Sequence, residues 1–168
     1  MKTAILWRKH DGNLAYTLVP TADDATPEQA RAARAAVIAD VRTMPVAEGW
    51  ELLSEEVEAP TDLRFMKAWR WVGGRIVVNM PAARAIFADQ LRDAVSRALQ
   101  RTDAALMDAL EQGDEEVLAG VRARRTSLRA LPALALDDAA TPSALLTLWP
   151  AAQLGAYPYA AATTYDAV

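Results

Sequence analysis

Apolar residues alternate with polar ones in two stretches of the first half of the chain and recur every three to four residues through the second half. The first pattern predicts strands and the second amphipathic helices. From Thr3 to Val19, Ile5 and Trp7 lead into Asp11-Gly12, where a positive φ is available, and Leu14, Tyr16 and Leu18 return, which predicts a β-hairpin closed by Pro20. Thr26-Pro27-Glu28-Gln29 has the capping-box spacing with proline at N1, and a helix from about Pro27 to Met44 follows with Ala30, Ala33, Val37, Val41 and Met44 on one face. Trp50 to Val57 predicts a strand with an acidic outer side. Phe65 to Asn79 predicts a second hairpin, in which Phe65, Ala68, Trp69 and Trp71 precede Gly73-Gly74 and Ile76, Val77 and Val78 return.

Asn79 to Gly113 predicts one long helix. Met80, Phe87, Leu91, Val95, Leu99, Leu106 and Leu110 form its stripe, widened by Ala83, Ala94, Ala98 and Ala109, with Asn79 as N-cap, Pro81 in the first turn and Gly113 as C-cap. Asp114 restarts the chain as the N-cap of a helix to Leu131 with Val117, Val121, Leu128 and Leu131 on one side, so the two helices form an antiparallel hairpin. Thr141-Pro142 starts a short last helix that Pro150 ends, its leucines and Trp149 folding back on the hairpin. Ala151 to Val168 has no periodicity and one charge, Asp166, with Tyr157, Tyr159 and Tyr165 set among small residues. Two readings stand for it: a loose C-terminus, or an extended arm that becomes ordered on a neighbouring subunit. The expected class is α+β: a small mixed sheet with one packed helix over residues 1–78, a long helical hairpin plus a short terminal helix over 79–150, and an extended C-terminal arm over 151–168.

Composition removes several function classes. The 168 residues are 52% hydrophobic and 24% charged, which suits a globular domain rather than a disordered chain. The absence of cysteine excludes disulfides and thiolate metal sites, and with one histidine no metal or other cofactor is expected. A formal net charge of −4 argues against a general grip on nucleic acid. No apolar run approaches the roughly 20 residues of a membrane span, and Met1 to Leu6 is too short for a signal peptide, so neither membrane insertion nor signal-peptide export is expected.

Catalytic residues are not expected either. His10 has Asp11 beside it in sequence, yet a general base needs an orienting carboxylate placed in space, and an exposed turn residue is the simpler reading. The acidic clusters Asp23-Asp24, Glu55-Glu56-Glu58, Asp114-Glu115-Glu116 and Asp137-Asp138 lack calcium-loop spacing. Gly73-Gly74 lacks the further glycines and helix start of a phosphate loop. Arg122, Arg125 and Arg129 share one helix face, which suits either phosphates or ion pairs with Asp103, Asp108 or Glu111 on the facing helix.

Within Asp62 to Pro150, DLRFMKAWRWVGGRIVVNMPAARAIFADQLR, DAALMDALEQGD, SLRALP and ATPSALLTLWP are the informative segments. On these the chain resembles a family of small proteins encoded among the tail genes of tailed bacteriophages and prophages. Ala68, Trp69, Gly73, Gly74, Met80, Ala83, Arg84, Met107, Ala109, Leu110, Glu111, Gly113, Asp114, Leu128, Arg129, Thr141, Pro142, Leu145, Trp149 and Pro150 match that family's pattern, whereas Asn79, Ala82 and Ala130 depart from its Asp, Lys and Asp. The resemblance implies a non-enzymatic virion or tail-assembly role, located in the virion tail or in the host cytoplasm during assembly. Its partners would be tail, baseplate or fibre proteins, with homo-oligomerisation open. The expected partner-binding residues are Trp69, Trp71, the exposed edge of the helical hairpin, and Tyr157, Tyr159 and Tyr165, since aromatic side chains dominate interface anchors. The alternative is a small nucleic-acid-binding regulator using the Arg122–Arg129 face; an enzyme ranks last.

Overall fold

The computed structural model describes residues 3–20, 22, 24–58 and 63–159. Its contacts separate into two units, divided between Asn79 and Met80. The class is α+β, with strands confined to the first unit and long helices in the second.

In the first unit, β1 (Thr3–Arg8) is the central strand of an antiparallel sheet, flanked by β2 (Leu14–Leu18) and β3 (Glu51–Glu58). Its position explains its composition. Ala4, Ile5, Leu6 and Trp7 are all buried to 1% exposure or less, because both faces of the sheet are covered. Ile5 and Trp7 face α1 (Pro27–Thr43), which packs through Ile38 and Val41. Leu6, with Leu14 from β2, faces the ribbon of β4 (Trp69–Val72) and β5 (Arg75–Val78), which covers it with Trp69. The Trp7 indole N–H, which burial would otherwise leave without water, donates to Thr17 Oγ1 at 3.2 Å.

Local signals account for the element ends. The Thr26 hydroxyl accepts from Gln29 N at 3.2 Å and Gln29 Oε1 accepts from Thr26 N at 2.7 Å, which completes the capping box. Gly73 and Gly74 have φ of 58° and 78°, the pair of positive values that a tight two-residue hairpin turn requires. Two expectations are corrected. The sheet is not mixed: every pairing is antiparallel, and β4 and β5 form a sheet of their own, because Trp69 lies over the face of the first sheet rather than bonding to its edge. Met44 is 47% exposed rather than buried. Pro45 drives the residue before it out of the helical region, and Met44 leaves α1 extended at φ −76°, ψ 125°.

The second unit is helical: α2 (Met80–Arg101), α3 (Asp103–Gln112), α4 (Glu115–Ala130), α5 (Pro142–Thr147) and α6 (Ala151–Leu154). Ala83, Phe87, Leu91, Ala94, Val95 and Ala98 form the buried stripe of α2. Gly113 closes α3 at φ 64°, and the Asp114 carboxylate accepts from Glu116 N and Val117 N at the start of α4. Thr141 caps α5 by accepting from Ala144 N at 3.1 Å. The expected continuous helix over Asn79–Gly113 is broken at Thr102, for a tertiary reason given below. The stripe of α4 is also corrected. Leu118, Leu128 and the following Leu131 are buried, whereas Val117 is 50% exposed, one position off the inward face.

Replacing Trp7 by alanine removes a side chain that fills the space between α1 and β1. Equilibrium urea unfolding is expected to show a loss of about 3–5 kcal/mol, and a loss below about 1 kcal/mol would contradict this account of the first unit's core.

Candidate functional site

The last turn of a helix leaves carbonyl oxygens without an i+4 partner, and at the end of α2 the Leu99 carbonyl accepts the Thr102 N–H at 3.0 Å. Thr102, only 6% exposed, turns its hydroxyl back to donate to Leu99 O at 2.7 Å. Arg125 of α4 completes the arrangement: its Nη1 lies 3.2 Å from Leu99 O, 2.7 Å from Thr102 Oγ1 and 2.5 Å from Asp103 Oδ1. One guanidinium therefore serves the last turn of α2, the break residue and the first residue of α3. A cation at a helix C-terminus and an anion at a helix N-terminus are both favourable, so the local fields favour the same pairing. The Arg125 side chain is 15% exposed and the Asp103 side chain 58%, so the cation is held inside while its partner stays wet.

A second polar cluster lies along the middle of α2. The chain after α6 turns back, and Phe87 stacks on Tyr157 with ring centroids 6.3 Å apart while Trp149 meets Phe87 edge-on at 5.9 Å. The Trp149 indole N–H donates to Gly155 O at 2.9 Å, and the Tyr157 hydroxyl donates to Gln90 Oε1 at 2.6 Å. The Tyr159 hydroxyl donates to Asp93 Oδ2 at 2.7 Å and accepts from Arg97 Nη2 at 2.7 Å, while Arg97 Nη1 lies 2.7 Å from Asp93 Oδ2. Burial, and next the hydrogen bond to Asp93, hold the Tyr159 hydroxyl pKa above its ordinary value. Tyr159 is thus a neutral donor at physiological pH. Beside this cluster an open groove of about 460 Å³ is lined by Arg97, Arg101, Trp149, Leu154, Pro158 and Tyr159. The Arg97 charge is already matched by Asp93, which leaves the Arg101 guanidinium as the other charge on the groove.

The expected contact residues fare differently. Trp69 is 2% exposed and belongs to the core of the first unit, so it has no face to offer a partner; Trp71 beside it is half-buried against the same cluster. Tyr157 and Tyr159 come together as expected of neighbours, but they are spent on α2. The extended arm is therefore corrected over residues 151–159, which form α6 and a turn closed by aromatic packing. Tyr165 lies outside the described residues. Of the two readings of the arginine face, Arg125 follows the ion pair with Asp103, and Arg122, Arg124 and Arg129 remain exposed. His10 is exposed and its ring lies against Gly49, where a Cβ would come within 2.4 Å of it. The Asp11 carboxylate accepts from Asn13 N and Asn13 Nδ2 at 2.9 and 2.8 Å; the backbone bond first, then the side-chain one, lower its pKa. It serves the turn.

Leu110 and Val117, which periodicity places inside, are instead 49% and 50% exposed around the Gly113 turn, and Met107 beside them is 56% exposed. In α4 the inward spacing is Leu118, Val121, Arg125, Leu128, so the arginine that forms the expected ion pair with Asp103 does so from a stripe position. That 3–4–3 spacing was the available signal for its role. Among the described residues, no group of three acidic, histidine or cysteine side chains converges as a metal site, and no helix is long and apolar enough to cross a membrane.

Compared with protein-family models, with curated proteins and with solved structures, the chain matches none.

Arg125→Ala is expected to lower stability by about 1–3 kcal/mol in urea unfolding, since it leaves the buried Thr102 hydroxyl without its donor and removes a charge-assisted contact to Asp103. Asp103→Asn is expected to cost under about 1 kcal/mol, because its carboxylate is solvated; equal costs for the two would contradict the asymmetry. The Tyr159 hydroxyl has a folded-state pKa above its unfolded one, so its contribution is complete below about pH 10 and is lost as pH rises through the folded value. A Tyr159→Phe variant should lose less stability than the parent on going into that alkaline window, and identical pH profiles would count against the assignment.

Proposed function

We propose that the chain is a non-enzymatic tail-region protein of a tailed bacteriophage or prophage, acting as a virion component or assembly factor that binds tail, baseplate or fibre proteins through the turn between α3 and α4. The observation that carries this reading is the exposure of Met107, Leu110 and Val117 around Gly113. Isolated exposed apolar side chains are ordinary on a protein surface, but Met107 and Leu110, one turn apart on α3, and Val117, in the first turn of α4, are grouped around one connection, and clustered exposed apolar residues mark interaction surfaces. Met107, Leu110, Gly113 and Asp114 also belong to the segments on which the resemblance to tail-region proteins rests. Gly113 and Asp114 set the turn, and the two apolar residues before it are presented outward.

The contact surface moves accordingly from the tyrosines to the helical turn. Tyr157 and Tyr159 make the second unit's own contacts and support the partner surface only by holding α2 in place.

The test is genetic. In the phage or prophage that encodes the chain, an in-frame deletion should leave heads without complete tails in electron micrographs, and a Met107→Asp/Leu110→Asp variant should fail to restore them while the purified variant keeps the parent's helical circular dichroism. Complete, infectious particles from the deletion, or full rescue by the folded double variant, would overturn the reading.

A further inference from the structure

The turn between α3 and α4 carries charge that its own unit leaves unmatched. From Thr102 to Val121 the sequence holds six acidic side chains and no basic one, whereas the rest of the chain holds more Lys and Arg than Asp and Glu. Two of the six are used inside the second unit: Asp103 pairs with Arg125, and Asp114 caps α4. Asp108, Glu111, Glu115 and Glu116 are exposed, and none of them pairs with a described cation.

Local helix physics accounts for part of this. Glu115 and Glu116 stand in the first turn of α4, where an anion meets the positive end of the helix dipole. Asp108 and Glu111 have no such reason. They lie in the second half of α3, Glu111 in its last turn, where the dipole disfavours anions and no basic residue offsets them. The two are also three positions apart on the helix, a spacing at which like charges repel. A local choice that opposes the fold points to a use outside it.

The same carboxylates surround the exposed apolar residues. Asp108 follows Met107, Glu111 lies one turn on from Met107 on the same face of α3, and Glu115 and Glu116 precede Val117 in the first turn of α4. Met107, Leu110 and Val117 therefore form an apolar centre with an acidic margin, the division into apolar core and polar rim that protein interfaces show. We infer that the Gly113 turn docks a basic surface of a partner protein, one with apolar side chains at its centre and Lys or Arg around them. Such a surface covers Met107, Leu110 and Val117 and sets cations on the four unmatched carboxylates, whereas nucleic acid and anionic lipid are repelled by them. This partner chemistry rests on the turn being the docking surface proposed above, and adds what the partner must carry.

The experiment is fluorescence anisotropy of a labelled amphipathic peptide of about five helical turns, leucine on one face and lysine on the other, titrated with the full chain at low salt. Saturable binding that weakens as salt is raised is expected. Asp108→Asn/Glu111→Gln should bind the peptide about five- to tenfold more weakly and yet keep or raise the unfolding midpoint, because the charges removed oppose the dipole of α3. A merely structural role for the two would lower the midpoint instead. Met107→Gln/Leu110→Gln, which leaves the charge unchanged, should also lose binding, and a peptide of the same composition in scrambled order should not bind. Absence of saturable binding, equal binding of the scrambled peptide, or parental affinity in the Asp108→Asn/Glu111→Gln variant would each refute the basic partner. So would self-association in light scattering that Met107→Gln/Leu110→Gln abolishes, since the patch then belongs to a second copy. The docking surface is judged apart from its chemistry by particle assembly: if Asp108→Asn/Glu111→Gln restores tails and Met107→Gln/Leu110→Gln does not, the surface stands and the basic partner falls, and if both restore tails the two fall together.

Discussion

The contact between Arg125 and the end of α2 is the constraint on which the second unit depends. A helix of this length and amphipathic pattern would continue through Thr102 on local grounds, since neither glycine nor proline interrupts it. At that point the Leu99 carbonyl takes the Thr102 N–H at 3.0 Å together with the buried Thr102 hydroxyl and a guanidinium from another helix. α3 begins one residue later at Asp103, and α4 brings Arg125 back to that junction.

The C-terminal aromatic cluster depends on α2 in a different way. Phe87 supplies the ring against which Trp149 and Tyr157 pack, and Gln90, Asp93 and Arg97, on the following turns, supply the polar ends. Spacing of three to four residues along one helix thus pairs each tyrosine hydroxyl with a partner while its ring stays among apolar neighbours. A segment nearly without charge is held in place because its tyrosines bring polar tips to a helix flank already rich in acceptors and donors.

In the first unit the governing constraint is that β1 is covered on both sides. Ile5 and Trp7 join the cluster under α1, and Leu6 between them joins the one under the β4–β5 ribbon. This explains why four of the five tryptophans fall in the first half of the sequence: Trp7 and Trp69 are fully inside, and Trp50 and Trp71 close the margins of the two clusters. The small polar and charged residues on the outer sides of β3 carry contacts such as Arg8 to Glu51 at 2.7 Å, which lie in water and contribute little.

The sequence by itself determined the local features. The capping box at Thr26, the Gly73-Gly74 turn, the Gly113-Asp114 stop and restart, and the Thr141 cap are set by backbone dihedrals and hydrogen bonds among residues at most four apart, which is information that a one-dimensional pattern carries. The α+β class followed from the same periodicities. Only the tertiary structure decided which surfaces those elements present. That Trp69 is core and Val117 surface, that the helix breaks at Thr102, and that Tyr157 and Tyr159 turn back on α2 are all consequences of side chains meeting across more than twenty residues of sequence. Periodicity states that a helix has an apolar face; it does not state the angle at which that face meets its neighbour. A rotation of one position moves Val117 into solvent and brings Arg125 to the carbonyl that it caps.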